Sequence, residues 1–438
     1  MHRSLSRLVR ALALACLALA AGAPLAAQGS QTTGAIRGLV AAADTRAPVA
    51  AAQVSAVNEE TGFTRNALSD DEGVFTLRLL PPGSYRVTVR RIGFQPMERS
   101  GVRVIVGTTA TANFDVTTAA AQLAEVRVTA ESERTDVTDA AVRTTVTQEE
   151  IEALPALGRD FTDFINLSGL VSPTPEATTG GQFSIAGQRP SQTNIQIDGV
   201  DANNSFFGEN RGGSRIPFAF SLESIREFQV ITNGYDVEYG NYSGGLVNIV
   251  TKGGTNTFRG SVYGNFRGEQ LTKNDFDGNP PNDYSVQQYA AQVEGPIIKD
   301  RLHYLFSLDG QRRREPFQSI TPDYFRTLST PQPALADSME RYYEILENVY
   351  GIENPGATYG QWEITNDVLT LFGRLDWTIN DRHRLSLRNN FSTYENANEA
   401  GSFAFRTGRS QAETVEDRTN SLVAELTSVL GSNMFNTF

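Results

Sequence analysis

A chain of 438 residues with 50 acidic and 38 basic side chains has a formal charge of −12 at pH 7, which excludes the basic face that a nucleic-acid partner requires. Its single cysteine, Cys16, and its three histidines, His2, His303 and His383, are too few and too scattered for a Cys/His zinc site or an HExxH helix. There is no GxSxG elbow, Walker A loop or GxGxxG turn, and Asp275, Asp277 and Asn279 lack the glycine and terminal glutamate of an EF-hand. No catalytic residue, metal or cofactor is therefore expected.

In chain order, Arg3, Arg7 and Arg10 form a basic start, and an uncharged apolar run from Ala11 to Ala21 follows, then small residues around Leu25, Ala26 and Ala27. This is the pattern of a secretory signal peptide over residues 1–27, and the run is too short to span a bilayer. Cleavage is expected after Ala27, because Pro24 disfavours a cut after Ala23. Cys16 leaves with the signal, so the mature chain would hold no thiol and no disulfide. No later stretch approaches eighteen consecutive apolar residues. Any membrane crossing beyond the signal must be made by β-strands.

Residues 34–116 read as a small all-β domain, with short alternating runs separated by turn residues. Tyr85, Val87 and Val89 alternate with Arg86, Thr88 and Arg90, which gives one apolar and one basic face. Asp70-Asp71-Glu72-Gly73 forms a turn before a strand at Val74–Leu79, and Pro81-Pro82-Gly83 forms the next. Gly38-Leu39-Val40, Pro48-Val49, Glu72-Gly73-Val74-Phe75, Leu80-Pro81-Pro82-Gly83-Ser84-Tyr85 and Gly93-Phe94 resemble the carboxypeptidase regulatory-like domain. That resemblance implies a transthyretin-like β-sandwich without peptidase activity.

Residues 117–139 read as a linker, flexible from Thr117 to Ala124. Within it Glu125-Val126-Arg127-Val128-Thr129-Ala130 resembles a TonB box, the segment through which TonB pulls. The same six residues also read as a last edge strand of the preceding domain, and Arg127 departs from the mostly apolar form of the motif.

Residues 140–255 mix helices and strands, as a compact α+β domain does. Thr147 and Glu150 have capping-box spacing and Val146 and Ile151 staple spacing, so a helix is expected over Gln148–Leu154, ended by Pro155. Phe161, Phe164 and Ile165 mark one face of a second helix. Ile195 and Ile197 lead into the turn dipeptide Asp198-Gly199, and strands are expected at Phe228–Thr232 and Leu246–Thr251.

Five blocks here follow the order of the plug domains of TonB-dependent receptors: Ser184-Ile185-Ala186-Gly187-Gln188-Arg189, Ile197-Asp198-Gly199-Val200-Asp201, Phe228–Asn233, Glu238-Tyr239-Gly240-Asn241-Tyr242-Ser243-Gly244-Gly245 and Asn248–Asn256 with Lys252. The resemblance implies that the segment closes a polar barrel lumen, with Arg189, Glu238 and Lys252 making contacts there. The bland reading of each block is conformational. Asp198-Gly199 would be only a hairpin turn, and Gly240, Gly244 and Gly245 would only permit tight backbone.

Residues 256–438 read as the start of an outer-membrane β-barrel. Leu302, Tyr304, Phe306 and Leu308 share one strand face, Leu369, Leu371, Leu375 and Trp377 another, and Leu385, Leu387 and Phe391 a third, opposite Arg384, Ser386, Arg388 and Asn390. Leu422, Ala424, Leu426 and Leu430 form a fourth. Connections alternate long and short: Gly268–Asp283 long, Gly295–Arg301 short, Arg314–Ile364 long, Asn380–Arg382 short, Asn396–Asp417 long, Gly431–Asn433 short. Membrane barrels have long exterior loops and short periplasmic turns.

About six strands are legible, whereas plugged transporters close with about 22 and a barrel of about eight is filled by its own side chains. The chain is thus expected to be the N-terminal piece of a longer protein. The family resemblance implies a bacterial outer-membrane importer with TonB and outer-membrane lipid as partners and an unknown solute: an iron chelate, a glycan or a peptide. An adhesin or export-assisting protein using the same exterior loops is the alternative.

Overall fold

The computed structural model describes residues 32–118, 126–129, 143–154, 161–173, 183–189, 192–203, 220–232, 244–274, 284–318, 321–328, 330–358, 361–399, 412–430 and 434–438. The signal segment, Glu125, Ala130, Pro155, Glu238, Tyr239 and Gly240 lie outside them.

Period-two alternation builds the first unit. Its strands are β1 (Gly34–Ala42), β2 (Gln53–Asn58), β3 (Thr64–Leu68), β4 (Val74–Leu80), β5 (Gly83–Arg90), β6 (Met97–Val104), β7 (Thr109–Thr111) and β8 (Phe114–Val116). Tyr85, Val87 and Val89 of β5 are fully buried, while Arg86 and Arg90 face water. One sheet has the order β4-β1-β7 with β8 also on β1, and the other begins β3-β2-β5-β6. Between them lies one apolar core that includes Ile36, Phe75, Leu77, Tyr85, Val102 and Phe114. At the Pro81-Pro82-Gly83 corner the Tyr85 hydroxyl donates to the Pro81 carbonyl at 2.7 Å. Burial pushes that phenol's pKa up, so it stays a donor.

The segment read as a linker contributes a strand of its own. Strand β9 (Val126–Thr129) lies parallel to β6, with Met97 opposite Val126 and Ser100 opposite Thr129, and forms the edge of the sheet.

The second unit contains β10 (Arg143–Thr147), α1 (Gln148–Ala153), α2 (Thr162–Ile165), β11 (Val171–Pro173), β12 (Phe183–Ile185), β13 (Thr193–Ile197), β14 (Val200–Asp201), β15 (Ile225–Ile231) and β16 (Gly245–Thr251). The start of α1 is set by its cap: the Glu150 carboxylate accepts from the Thr147 N–H at 2.7 Å and from its Oγ1 at 3.0 Å. The main sheet has the order β10-β15-β16-β13-β14, with β11 and β12 paired separately. Phe161, Phe164 and Ile165 are buried as expected and pack with Phe183, Ile195, Phe228 and Ile249. The Phe164 and Phe228 rings stack at 6.1 Å.

The third unit is one antiparallel sheet in strict chain order. Its elements are β17 (Arg259–Gly268), β18 (Ser285–Ile298), β19 (Leu302–Gln318), α3 (Pro322–Thr327), α4 (Pro333–Asn348), β20 (Gln361–Asn380), β21 (His383–Glu399), β22 (Glu413–Val429) and β23 (Phe435–Thr437). The sheet is open, ending at β17 and β23. Its two faces differ as a membrane wall requires: Phe306, Leu375, Trp377 and Leu422 are exposed on the outside, whereas Leu305, Ser307, Thr370 and Phe372 are buried against the second unit. No helix among the described residues is long and apolar enough to cross a membrane.

The strands are longer than alternation alone indicates. Strand β18 runs through Gly295–Ile298, so the short turn is Lys299–Arg301. Strands β19 and β20 stay paired out to Gln318 and Gln361, which confines the long connection to 319–360 and places α3 and α4 within it. Likewise β21 and β22 extend to Glu399 and from Glu413. Apolar alternation marks only the lipid band. Beyond it the ladder continues on main-chain hydrogen bonds and cross-strand charge pairs such as Arg314 with Asp367, at 2.6 Å.

Candidate functional site

The turn between β13 and β14 carries the best-defined site. Asp198 (φ +47°) and Gly199 (φ +76°) are its two central residues, flanked by the paired Ile197 and Val200, which is the left-handed geometry of a type I′ hairpin. Glycine suits the second position because it has no Cβ. The turn aims the Asp198 carboxylate back at the end of β16, where it accepts from the Thr251 N–H and Oγ1, both at 2.8 Å. It also faces the barrel wall: Arg388 Nε lies 3.1 Å away and Arg374 Nη1 3.8 Å.

From there the charges alternate along the wall. Arg374 of β20 donates to Thr251 Oγ1 at 2.6 Å and pairs through Nε with Asp376 at 2.8 Å, and Arg384 of β21 reaches Asp376 at 2.7 Å. Arg388 additionally donates to the Ile197 carbonyl. All five charged side chains are at most 15% exposed, so each depends on the others for the solvation it lacks. A cleft of about 230 Å³ adjoins this network, lined in part by Val200, Ser386 and Glu425.

Apolar and hydroxyl contacts extend the seam. Leu305 and Phe372 of the wall join the core of the second unit, the Phe220 and Phe372 rings meet at 5.3 Å, and Ser224 and Ser307 share a 2.5 Å hydrogen bond.

The other motif residues sit as follows. Gly187 (φ +77°) turns the chain after β12, where Ser184 Oγ donates to the Gln188 carbonyl at 2.7 Å. Gly244 donates its N–H to the Gln192 carbonyl at 2.9 Å, and a Cβ on Gly244 would lie 2.6 Å from Gln188 Cβ, so the Gly244-Gly245 block packs against the Ser184–Arg189 block. Gly245 (φ +152°) cannot be replaced freely, since a Cβ there would lie 2.6 Å from Ile185 Cγ2. Arg189 is exposed, Val200 is exposed, and Lys252 is half-buried with its N–H on the Ser224 carbonyl at 2.7 Å. Arg374, Asp376, Arg384 and Arg388 were not singled out from sequence as plug partners. Their only signal is polarity on the lumen-facing positions of β20 and β21, which does not say which of them meets the plug.

The sandwich docks on the plug and at the end of the wall where the short turns lie. The Val106 N–H meets Glu227 Oε1 at 3.2 Å and its carbonyl accepts from Gln229 Nε2 at 2.7 Å, so one main-chain unit is held by two side chains of β15. Burial pushes the Glu227 carboxyl's pKa up. Around this clasp Arg226 pairs with Glu60 at 2.7 Å and Arg103 with Glu149 at 2.7 Å, and Arg65 donates to the Asp381 carbonyl at 3.2 Å.

A sandwich and an α+β plug, the latter seated on the inner face of an outward-apolar antiparallel wall, define the class of plugged outer-membrane barrel proteins. Three families match in chain order: the carboxypeptidase regulatory-like domain over residues 35–117, the TonB-dependent receptor plug domain over 136–246 and an outer membrane beta barrel domain over 250–438. Its three domains, in this order, are those of TonB-dependent outer-membrane receptors that carry an N-terminal regulatory-like domain, and they place it in the outer membrane.

It is 27% identical over 283 residues to the TonB-dependent transporter Oar of Myxococcus xanthus, covering 61% of this chain and 26% of that one. It is 32% identical over 176 residues to the probable TonB-dependent siderophore receptor PirA of Acinetobacter baumannii, covering 36% of this chain and 21% of that one. The solved siderophore receptor PirA from Acinetobacter baumannii aligns with a TM-score of 0.44 at 21% identity, over 65% of this chain and 37% of that one. The chain therefore spans about a quarter of the length of the curated relatives it matches. Those relatives are transporters and receptors rather than enzymes.

Proposed function

We propose that the protein is a ligand-gated, energy-coupled importer. Loops at the outer end capture a solute, the plug closes the lumen, and TonB pulling on Val126–Thr129 and its flanks from the periplasmic side opens it. The solute is an iron chelate, a glycan or a peptide, and work is done by binding and conformational change. Gly187, Arg189, Asp198, Gly199, Val200, Gly244, Gly245 and Lys252 serve plug architecture and its fit to the wall, with Asp198 as the main contact.

The observation that carries this reading is the charged seam between Asp198 and Arg374, Asp376, Arg384 and Arg388. An apolar joint would lose about 25 cal/mol for each Å² uncovered. Separated ion pairs instead regain hydration that offsets their lost attraction. A plug held this way is tight at rest and still separable under load.

The test is uptake of a labelled candidate solute by cells with and without TonB, with surface binding measured on the same cells. TonB-dependent uptake is expected. Retained cell attachment with no TonB-dependent uptake of any of the three solute classes would favour the adhesin reading.

A further inference from the structure

The edge strand β9 and the docked sandwich together form a device that neither shows alone. Strand β9 is registered on β6 over four residue pairs, Met97 with Val126 through Ser100 with Thr129. The sandwich that owns β6 is in turn fastened to the plug and to the barrel rim. Val106 is fully buried, with its N–H on Glu227 and its carbonyl on Gln229; Glu60 pairs with Arg226; Arg65 reaches the turn at Asp381; and Thr32 Oγ1 donates to Glu425 at 3.0 Å. After Thr129 the chain next enters the plug at β10, which among the described residues is an edge strand paired only with β15.

This placement has a mechanical consequence. While β9 stays in the sheet of a domain fastened to plug and rim, β9 and β10 are tied to the same body, and a pull on β9 puts no tension between them. Of the two joints in the way, the four-pair parallel ladder is the weaker. It is short and lies at an edge, whereas the sandwich is held by a buried clasp and contacts on three elements. Among the described residues no strand pairs with the outer edge of β9, which leaves it for a partner strand to add.

We propose that the sandwich is a tension clamp on energy coupling: it holds Val126–Thr129 against the rim, and the plug is loaded only after β9 peels from β6. This rests on the proposed role of Val126–Thr129 in coupling. A partner strand first adds to the open edge of β9, β9 then leaves β6, and the chain from Thr129 to Arg143 tightens on β10.

The experiment locks the ladder in the receptor as its cells produce it. Paired strands about 4.8 Å apart bring register partners within disulfide reach, so Ser100→Cys with Thr129→Cys, and separately Glu98→Cys with Arg127→Cys, should cross-link in resting cells. The expected result is unchanged surface binding of labelled solute, uptake reduced at least tenfold, and recovery on adding a phosphine reductant small enough to reach the periplasm through outer-membrane pores. Full uptake with the cross-link in place would overturn the clamp while leaving TonB coupling intact. Absence of a cross-link in both pairs would overturn it as well, because the resting register would not exist. Uptake that persists without TonB would instead sink the importer reading, whatever the cross-links do.

Discussion

The sandwich and the plug are each built around a five-stranded sheet, and the two sheets treat polar side chains in opposite ways. Along β5 of the sandwich, buried Tyr85, Val87 and Val89 alternate with Arg86 and Arg90, which are left to water. In the plug, β16 is buried along its whole length and β15 at every position but Arg226. Register places Gln229, Asn248 and Gln196 side by side across three strands, and all three are buried. A sheet face that meets water leaves its polar groups to the solvent. A sheet enclosed by other elements has no such recourse, so each hydrogen bond that its polar groups make within the protein counts, and single positions become critical.

Four substitutions measure how deep that contrast runs. The largest effect is expected at Asp198→Ala, which leaves Arg388 and Arg374 buried without that carboxylate and should cost about 3–5 kcal/mol. The measurement is the shift in the plug's unfolding midpoint in detergent-solubilised receptor. A cost below about 1 kcal/mol, the range of exposed pairs, would mean that water already fills the seam and that plug and sandwich do not differ.

Gln229→Leu should cost about 1–3 kcal/mol, because the Val106 carbonyl and Glu227 lose a buried donor. Faster hydrogen exchange at Val106 and Gly107, with the rest of the sandwich unchanged, would place that loss at the clasp. Unaltered exchange there would show that the clasp does not hold the sandwich.

Glu227 gives a pH signature. Burial favours its neutral form, so its folded pKa lies above the ordinary 4.5. Docking then has its full stability from this group below pH 4.5 and loses it as the pH rises through the folded value. Glu149 has the opposite sign, its pKa lowered mainly by its hydrogen bond to Arg103, so its contribution is present above 4.5 and lost as the pH falls. That pair is largely exposed and screened, so Glu227 should dominate. Glu227→Gln should flatten the dependence of the docking midpoint above pH 4.5; a slope equal to the wild type would assign the dependence to another group.

The smallest effect is expected at Arg86→Ala. This side chain is half exposed and lies 3.5 Å from Glu98, so the change should cost about 0.2–1 kcal/mol in sandwich unfolding. A loss as large as that at Asp198 would erase the comparison.

Local chemistry made much of the architecture legible. The alternation in β5, the Thr147 and Glu150 cap, the Asp198-Gly199 turn and the outward stripes of β19 to β22 depend on neighbours within a few residues, where steric and hydrogen-bonding rules act directly. Alternation failed beyond the lipid band, where β19 and β20 continue to Gln318 and Gln361. There the ladder is held by main-chain groups that every residue type carries, so side-chain pattern loses its signal. It also left open whether Val126–Thr129 is a free segment or an edge strand, since a four-residue extended run suits either.

By itself the sequence determined the class of the strongly patterned elements and which strand faces are apolar, because these follow from period and turn chemistry along one stretch of chain. Only the tertiary structure decided the partners. Asp198 lies 176 positions before Arg374 and 190 before Arg388 in the chain, and nothing local to any of them names the others. Polar lumen positions are interchangeable in sequence until the plug's turn is set against β20 and β21. The same holds for Val106, an ordinary buried valine by type, whose main-chain N–H and carbonyl become a docking point only because Glu227 and Gln229 are brought to it. Long-range contacts between buried polar groups are set by the geometry of whole units, and no residue announces them in advance.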